Sequence, residues 1–292
     1  HWGHRAIIGK VLEQSRALEI PSAVITFDPH PRRVLYKGQS VPSILPFTER
    51  ARLIAELGVD LLVKVSFTPE FAGRSAEWFL EKMVEKLHPQ AVVIGHDFRF
   101  GKGRGGDHLF LVDAGARYNF TVIAVPAVEV SGKPVSSTRI RGMIQAGEMR
   151  RVRELLGAPF HLIGEVVRGR GRGRGLGFAT ANLRWENELI PPSGVYAGIA
   201  FLDDRRLPAV INIGMNPTFQ EAELSIEAHL VGLDQELYGH KLRLALYRRL
   251  RGEIKFESPR ALSSQIEKDI ARARQELFAA TGEDLFPAEK GR

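Results

Sequence analysis

The chain contains no cysteine, which excludes disulfides, thiolate zinc sites and a cysteine nucleophile and suits a reducing cytoplasm. It also lacks any apolar run approaching membrane-spanning length, and no charged start followed by an apolar stretch opens it in the manner of a signal peptide. A soluble, cytoplasmic protein is expected. What is present is 292 residues, 44% of them hydrophobic, ample for a buried core and long enough that two domains are favoured over one. Lys and Arg number 41 against 34 Asp and Glu, leaving a net charge of +7. That balance suits an anionic partner, whether nucleotide, nucleic acid or lipid surface, without choosing among them.

From Ile7 to about Phe160, amphipathic helical stretches alternate with short apolar runs. In the first helix Ile7, Ile8, Val11, Leu12 and Leu18 share one face. Residues 23–27, 61–65, 91–94 and 121–125 read as buried strands, and 76–87 and 139–145 as helices. The alternation predicts an open parallel sheet covered by helices on both faces. Past Leu162 the pattern turns to period-2 segments, 162–167, 195–201, 208–213, 224–231 and 241–247, separated by Gly, Pro and Asp turns. These predict an antiparallel sheet or small barrel. A last helix starts after the Ser258 cap and Pro259 and carries Leu262, Ile266, Ile270, Ala273 and Leu277 on one face. Gly157 and Pro159 end the helical pattern, so the boundary is set at 1–158 and 159–292.

Four stretches of the first half carry chemistry. His1-Trp2-Gly3-His4 precedes the first helix, where backbone amides and the helix dipole favour phosphate. The glycine permits close backbone approach, and the two imidazoles can donate to charge developing on a transferred phosphoryl group; the alternative is two ordinary histidines on a solvated segment. The run Ser136, Ser137, Thr138, Arg139, Ile140, Arg141 opens a helix after a Gly132/Pro134 turn. It is either a set of caps or a triphosphate clamp. Around His30, Pro29 and Pro31 would fix the ring. In the segment from Gly95 to Gly101, Asp97 is followed by Phe98 and Phe100 about Arg99; the rings can wall a base or flavin, or simply fill the core.

In the second half, residues 168–177 alternate Arg and Gly. Gly169, Gly171, Gly173 and Gly177 permit turns that aim amides at phosphate, while the arginines add charge; a short RNA-binding tract would look similar. Thr180 and Asn182 follow, and their hard oxygens suit a Mg2+ ion bridging phosphates, or serve only in a turn. On segment 224–231, Ile226, Ala228 and Leu230 alternate with Ser225, Glu227 and His229. That pattern fits either a solvated surface strand or a placed carboxylate.

The motifs HxGH, FDPHP, GHDFRFGKGRGGD, VSSTRIR and a closing ELLG resemble the adenylyltransferase half of bacterial bifunctional riboflavin kinase/FAD synthetases over residues 1–160. GRGRGLGFATANL, VINIGMNPTF, SIEAHL, ELYGHKL, LRGEIKF and QIEKDIARAR resemble the riboflavin kinase module over nearly all of residues 160–280. The resemblance implies a Rossmann-like nucleotidyltransferase domain followed by a mainly antiparallel six-stranded riboflavin kinase barrel with a C-terminal helix. It implies that His1 and His4 stabilise the ATP α-phosphate, with Gly3 between them. Ser136, Ser137, Thr138, Arg139 and Arg141 hold the pyrophosphate, and His30, Asp97, Phe98 and Phe100 lie at the flavin. By the same resemblance Thr180 and Asn182 bind Mg2+ and ATP phosphates beside the glycine loop, and Glu227 is the general base on the riboflavin 5′-hydroxyl. Substrates would be riboflavin, FMN and ATP; no nucleic acid partner is expected, and self-association would be weak. Three departures stand out. The family's first strand and Gly-x-Phe-Asp-Gly-Val loop are not seen ahead of His1, so upstream residues are expected to be missing. Ala179 replaces the usual proline, and Arg170 stands where an acid is common. The competing readings are a riboflavin kinase alone, or a basic nucleic-acid-binding protein.

Overall fold

A computed structural model describes residues 1–36, 41–169, 178, 180–217 and 222–286. The chain divides into two compact units, His1–Ser136 and Ser137–Arg292. This division falls upstream of the 158/159 boundary read from the sequence, because the two helices after Ser136 pack on each other and the second packs on strands of the later unit.

The first unit runs α1 (Trp2–Leu18), β1 (Ala23–Asp28), α2 (Pro31–Leu35), α3 (Phe47–Glu56), β2 (Leu61–Ser66), α4 (Pro69–Ala72), α5 (Ala76–Leu87), β3 (Ala91–Gly95), α6 (His108–Tyr118) and β4 (Thr121–Val125). A small hairpin of β5 (Glu129–Val130) and β6 (Lys133–Pro134) closes it. β1 and β2 pair in parallel from Ala23↔Leu61 to Asp28↔Ser66, and β3 and β4 from Ala91↔Thr121 to Gly95↔Val125. The single open sheet expected from the sequence is thus seen as two parallel pairs, with no strand between them among the described residues. Helix starts are fixed by caps: Ser75 accepts from the Trp78 N–H at 3.1 Å to start α5, and Asp107 from the Phe110 N–H at 3.0 Å to start α6. The α5 and α6 faces meet β3 in a core of Leu80, Ile94, Leu111, Ala114 and Phe120. On α1, Ile8 is buried but Leu18, placed on the same face by periodicity, is 41% exposed, because the helix ends there in a left-handed cap at Glu19.

The second unit opens with α7 (Ser137–Gln145) and α8 (Met149–Leu156), followed by β7 (Phe160–Val167), β8 (Ala181–Trp185), β9 (Gly194–Leu202), β10 (Arg205–Pro217), β11 (Ala222–Leu230) and β12 (Lys241–Arg251). It ends on α9 (Pro259–Thr281). The six strands close a barrel in the order β10-β11-β8-β7-β12-β9, every neighbouring pair antiparallel. Among the described residues, closure leaves the barrel no free edge strand. β9 is buried almost throughout rather than on alternate residues, since Val195, Ala197 and Ile199 on one face pack with Ala273 and Leu277 of α9. Ser258 caps α9 by accepting from the Ala261 N–H at 3.2 Å. The helix is pinned by Asp269, 3% exposed, which accepts from Arg251 Nη2 at 2.7 Å and Nε at 3.0 Å and from Gln265 at 2.9 Å.

Candidate active sites

In the first unit, helix α1 begins at Trp2, so Gly3 and His4 lie inside its first turn rather than ahead of it. The reason is local: His1 is the cap, its Nδ1 accepting from the His4 backbone N–H at 3.2 Å. The His1 and His4 rings then stack, centroids 3.9 Å apart and 18° from parallel. A side chain at Gly3 would come within 3.1 Å of the His1 ring, so the glycine makes room for that stack. The His4 imidazole is pushed below its ordinary value, first by its partial removal from solvent into surrounding protein and then by the positive charge of Arg50. The residue keeps an exposed edge, so the ring is neutral at pH 7 yet reachable. A neutral imidazole offers one N–H donor and one acceptor.

At the carboxyl end of β1, Asp28 pairs with Lys64 at 2.7 Å. His30 caps α2, its Nδ1 accepting from the Arg32 N–H at 3.2 Å, so its ring is held by the cap as well as by the prolines beside it. Past the end of β3, Asp97 is exposed. The aromatic wall expected of Phe98 and Phe100 needs correction at one position. Phe100 is only 9% exposed and packs against Phe79 and Phe110 at 5.6 Å, which makes it a core residue. Phe98 stacks on it at 5.5 Å and 23° and remains half-buried. Arg99 turns aside to the Asp107 cap at 2.6 Å. Ser136 is the last residue of the first unit. Ser137, Thr138, Arg139 and Arg141 occupy the first turns of α7 in the second, where Ile140 and Ile144 bury the inner face and leave Arg139 and Arg141 half-buried beside it.

In the second unit the register of the barrel builds a site that no single segment contains. Asn182 on β8 stands directly opposite Glu227 on β11, and Glu227 stands opposite Asn212 on β10. Directly opposed residues in an antiparallel sheet place their Cβ atoms about 5 Å apart on the same face, so a carboxylate is flanked by two carboxamides on one rung. Ile226 and Ala228, on either side of Glu227, are 1% and 0% exposed inside the barrel, which fixes Glu227 on the outer face, where it is half-buried. Asn212 was not singled out from the sequence; it lies within the VINIGMNPTF segment, where polarity between Ile211 and Ile213 is what any outward strand position shows. Three residues further along β10, Glu253 accepts from the Met215 N–H at 3.3 Å.

Gly169, Thr180 and Asn182 line one pocket, together with Val166, Glu236 and Tyr238. Gly169 passes so close to Asn182 that a Cβ there would fall 2.1 Å from Asn182 Nδ2. Glycine lets the chain leaving β7 cross the carboxamide without displacing it. Gly171, Gly173 and Gly177, with Arg170 and Ala179, lie outside the described residues. Thr180 and Asn182, nominated from the sequence as Mg2+ and phosphate ligands with a turn as the alternative, differ in setting: Asn182 is in β8, the strand that joins β7 to β11, and Thr180 immediately precedes it. Among the described residues no group of three or more His, Cys, Asp or Glu can hold a metal ion. The oxygens of Thr180 and Asn182 fit a hard cation such as Mg2+ only as partners of phosphate oxygens and water, the coordination that ion favours at nucleotide sites.

An α/β unit with a stacked imidazole pair at a helix start, and a barrel with a glycine, hydroxyl and carboxamide pocket beside a carboxylate, define a two-module nucleotide-dependent transferase. The FAD synthetase family profile matches residues 1–139 and the riboflavin kinase profile residues 156–277. The bifunctional riboflavin kinase/FMN adenylyltransferase of Escherichia coli K12 is 35% identical over 283 residues, 96% of this chain and 90% of the relative. That of Listeria monocytogenes is 36% identical over 288 residues, covering 97% and 90%. A solved structure described as a macrolide-efflux protein from Streptococcus pneumoniae superposes with a TM-score of 0.85 at 30% identity, covering 94% of this chain and 90% of that one. The chain belongs to the bifunctional riboflavin kinase/FMN adenylyltransferase family.

Proposed function

We infer that this chain phosphorylates riboflavin to FMN and adenylylates FMN to FAD with release of pyrophosphate, using ATP in both reactions, at two separate sites. The observation that carries the kinase assignment is the Asn182, Glu227, Asn212 rung beside the pocket of Gly169 and Thr180. Glu227 accepts the proton of the riboflavin 5′-hydroxyl as its oxygen bonds to the γ-phosphorus and the bond to the ADP oxygen breaks. A primary alcohol is a poor nucleophile until that proton has somewhere to go. Gly169 lets the backbone approach the phosphates closely, and Asn182 and Thr180 orient them. Mg2+ held by the Thr180 and Asn182 oxygens would neutralise phosphate charge when bound.

For the second reaction, an FMN phosphate oxygen bonds to the α-phosphorus of ATP and pyrophosphate leaves. His4, neutral at pH 7, donates its N–H to the oxyanion, with His1 stacked against it to hold the ring. Ser136, Ser137, Thr138, Arg139 and Arg141 serve the departing pyrophosphate. His30, Asp97 and the exposed side of Phe98 serve the flavin, with Phe100 supporting Phe98 from the core. We place the division between catalytic modules near residues 158 and 159, in keeping with family profiles that end at 139 and resume at 156. Action in the cytoplasm accords with this reading, and no helix among the described residues is long and apolar enough to cross a membrane. The test is substitution: Glu227→Ala is expected to abolish FMN formation while leaving FAD formation from supplied FMN, and His4→Ala to do the reverse. Equal damage to both steps by each substitution would refute separate sites.

A further inference from the structure

Arg50 lies in the first turn of α3 and was no part of any motif. Its side chain runs back to the sheet, where Nη2 donates to the Phe27 carbonyl at 3.1 Å. That bond holds the guanidinium at the carboxyl end of the β1/β2 pair, the edge at which open α/β sheets take their ligands.

The charges there do not balance. Asp28, the acid beside Arg50, is claimed by Lys64 at 2.7 Å, while Arg50 Nη2 reaches the same carboxylate only at 4.0 Å. Two cations thus share one carboxylate, and the Phe47 ring lies against both, 4.4 Å from Lys64 Nζ and 5.4 Å from the Arg50 guanidinium carbon. Arg50 Nε is buried and has no hydrogen-bond partner among the described residues, which is costly for a charged donor. Burial also pulls down the proton affinity of Arg50 itself. The same positive charge reaches His4 strongly enough to help depress it, so the two groups lie within electrostatic range of one another.

We propose that Arg50 is a further ligand of the adenylyltransferase site, taking a phosphate oxyanion of bound ATP or FMN. An oxyanion supplies what the arrangement lacks, one negative charge and an acceptor. The planar fork of Arg meets phosphate through two N–H groups at once, which a lysine cannot reproduce. The proposal rests on the assignment of His4 to that site.

The test uses the full chain with Arg50→Ala, Arg50→Lys and His4→Ala. FAD formation is measured with ATP and FMN varied separately, and riboflavin phosphorylation and the melting temperature are followed in the same preparations. Arg50→Ala is expected to lower kcat/KM for FAD formation by roughly 10- to 100-fold, the range of a charge-assisted hydrogen bond, with riboflavin phosphorylation and melting unchanged and Arg50→Lys intermediate. A raised KM for ATP would identify an ATP phosphate as the ligand, and a raised KM for FMN the flavin phosphate. Wild-type FAD formation by Arg50→Ala, with loss in His4→Ala, would overturn the proposal alone. A fall in melting temperature and in both activities, with no rescue by lysine, would overturn it in favour of a structural role. Undiminished FAD formation in His4→Ala would overturn the site assignment and the proposal with it.

Discussion

Replacing Gly169 with alanine separates fold from function more cleanly than removing a reactive group. A Cβ at 169 would lie 2.1 Å from Asn182 Nδ2, 2.3 Å from its Cγ and 2.6 Å from its Oδ1. Ordinary contact between such atoms is about 3.5 Å, so the carboxamide must retreat by about 1.4 Å. The obstructing atoms are the end of a side chain rather than backbone, so the barrel can absorb the change by turning Asn182 away. The expected cost is therefore borne by activity. Displacement of a positioning group by about 1 Å is worth on the order of 100-fold in rate, and Asn182 is the carboxamide that stands opposite Glu227. Riboflavin phosphorylation by Gly169→Ala is expected to fall about 100-fold in kcat/KM, with circular dichroism and FAD formation from supplied FMN unchanged. Phosphorylation at the wild-type rate would refute the placement of Asn182 in the kinase site, and equal loss of both activities would refute the separation of sites.

The His4 imidazole is expected to titrate below the usual value of about 6.5 by NMR. Because the unfolded chain takes up this proton first, the contribution of His4 to stability is complete above about pH 6.5 and is lost as pH falls through the lower pKa of the folded state; titration at 6.5 in the folded protein would contradict the environment described. Asp269→Ala removes one partner of a buried pair and leaves Arg251, 16% exposed, without its carboxylate. It is expected to destabilise the barrel by about 3 kcal/mol, the lower end for such a pair, as read by denaturant unfolding, and a loss below about 1 kcal/mol would contradict the anchoring role of the α9 contact. Removal of divalent cations by a chelator is expected to stop FMN formation and Mg2+ to restore it; full activity without Mg2+ would leave Thr180 and Asn182 with no metal to hold.

Much of the fold was legible because burial writes a period into the sequence. The strands of the first unit were contiguous apolar runs, and the observed bounds Ala23–Asp28, Leu61–Ser66, Ala91–Gly95 and Thr121–Val125 differ from the expectation by at most one residue. Helix α6 was not legible, since Leu109 at 73% and Val112 at 47% exposed blur its amphipathic pattern. The start of α1 was misplaced because a histidine serves as its cap, a role that composition assigns to Ser, Thr, Asp or Asn. β8 escaped notice because it is a short strand directly behind the glycine run, and its weight lies in pairing with β7 and β11. The site followed the same division. Residue types in local motifs could be nominated, but the meeting of Asn182 with Glu227 depends on barrel register, and the approach of Arg50 to the Phe27 carbonyl on packing of α3 against the sheet. Neither is encoded as a spacing. Phe100 shows the converse: a motif-bearing aromatic that the core claims.

The central claim is that two sites act independently within one chain, and complementation tests it most directly. Glu227→Ala and His4→Ala proteins are each incubated with riboflavin, ATP and Mg2+, then mixed, and flavins are separated by chromatography over time. The account predicts no product from the first, FMN alone from the second, and FAD from the mixture, as FMN made by one protein is adenylylated by the other. Failure of the mixture to make FAD, or FAD formation by either variant alone, would contradict it.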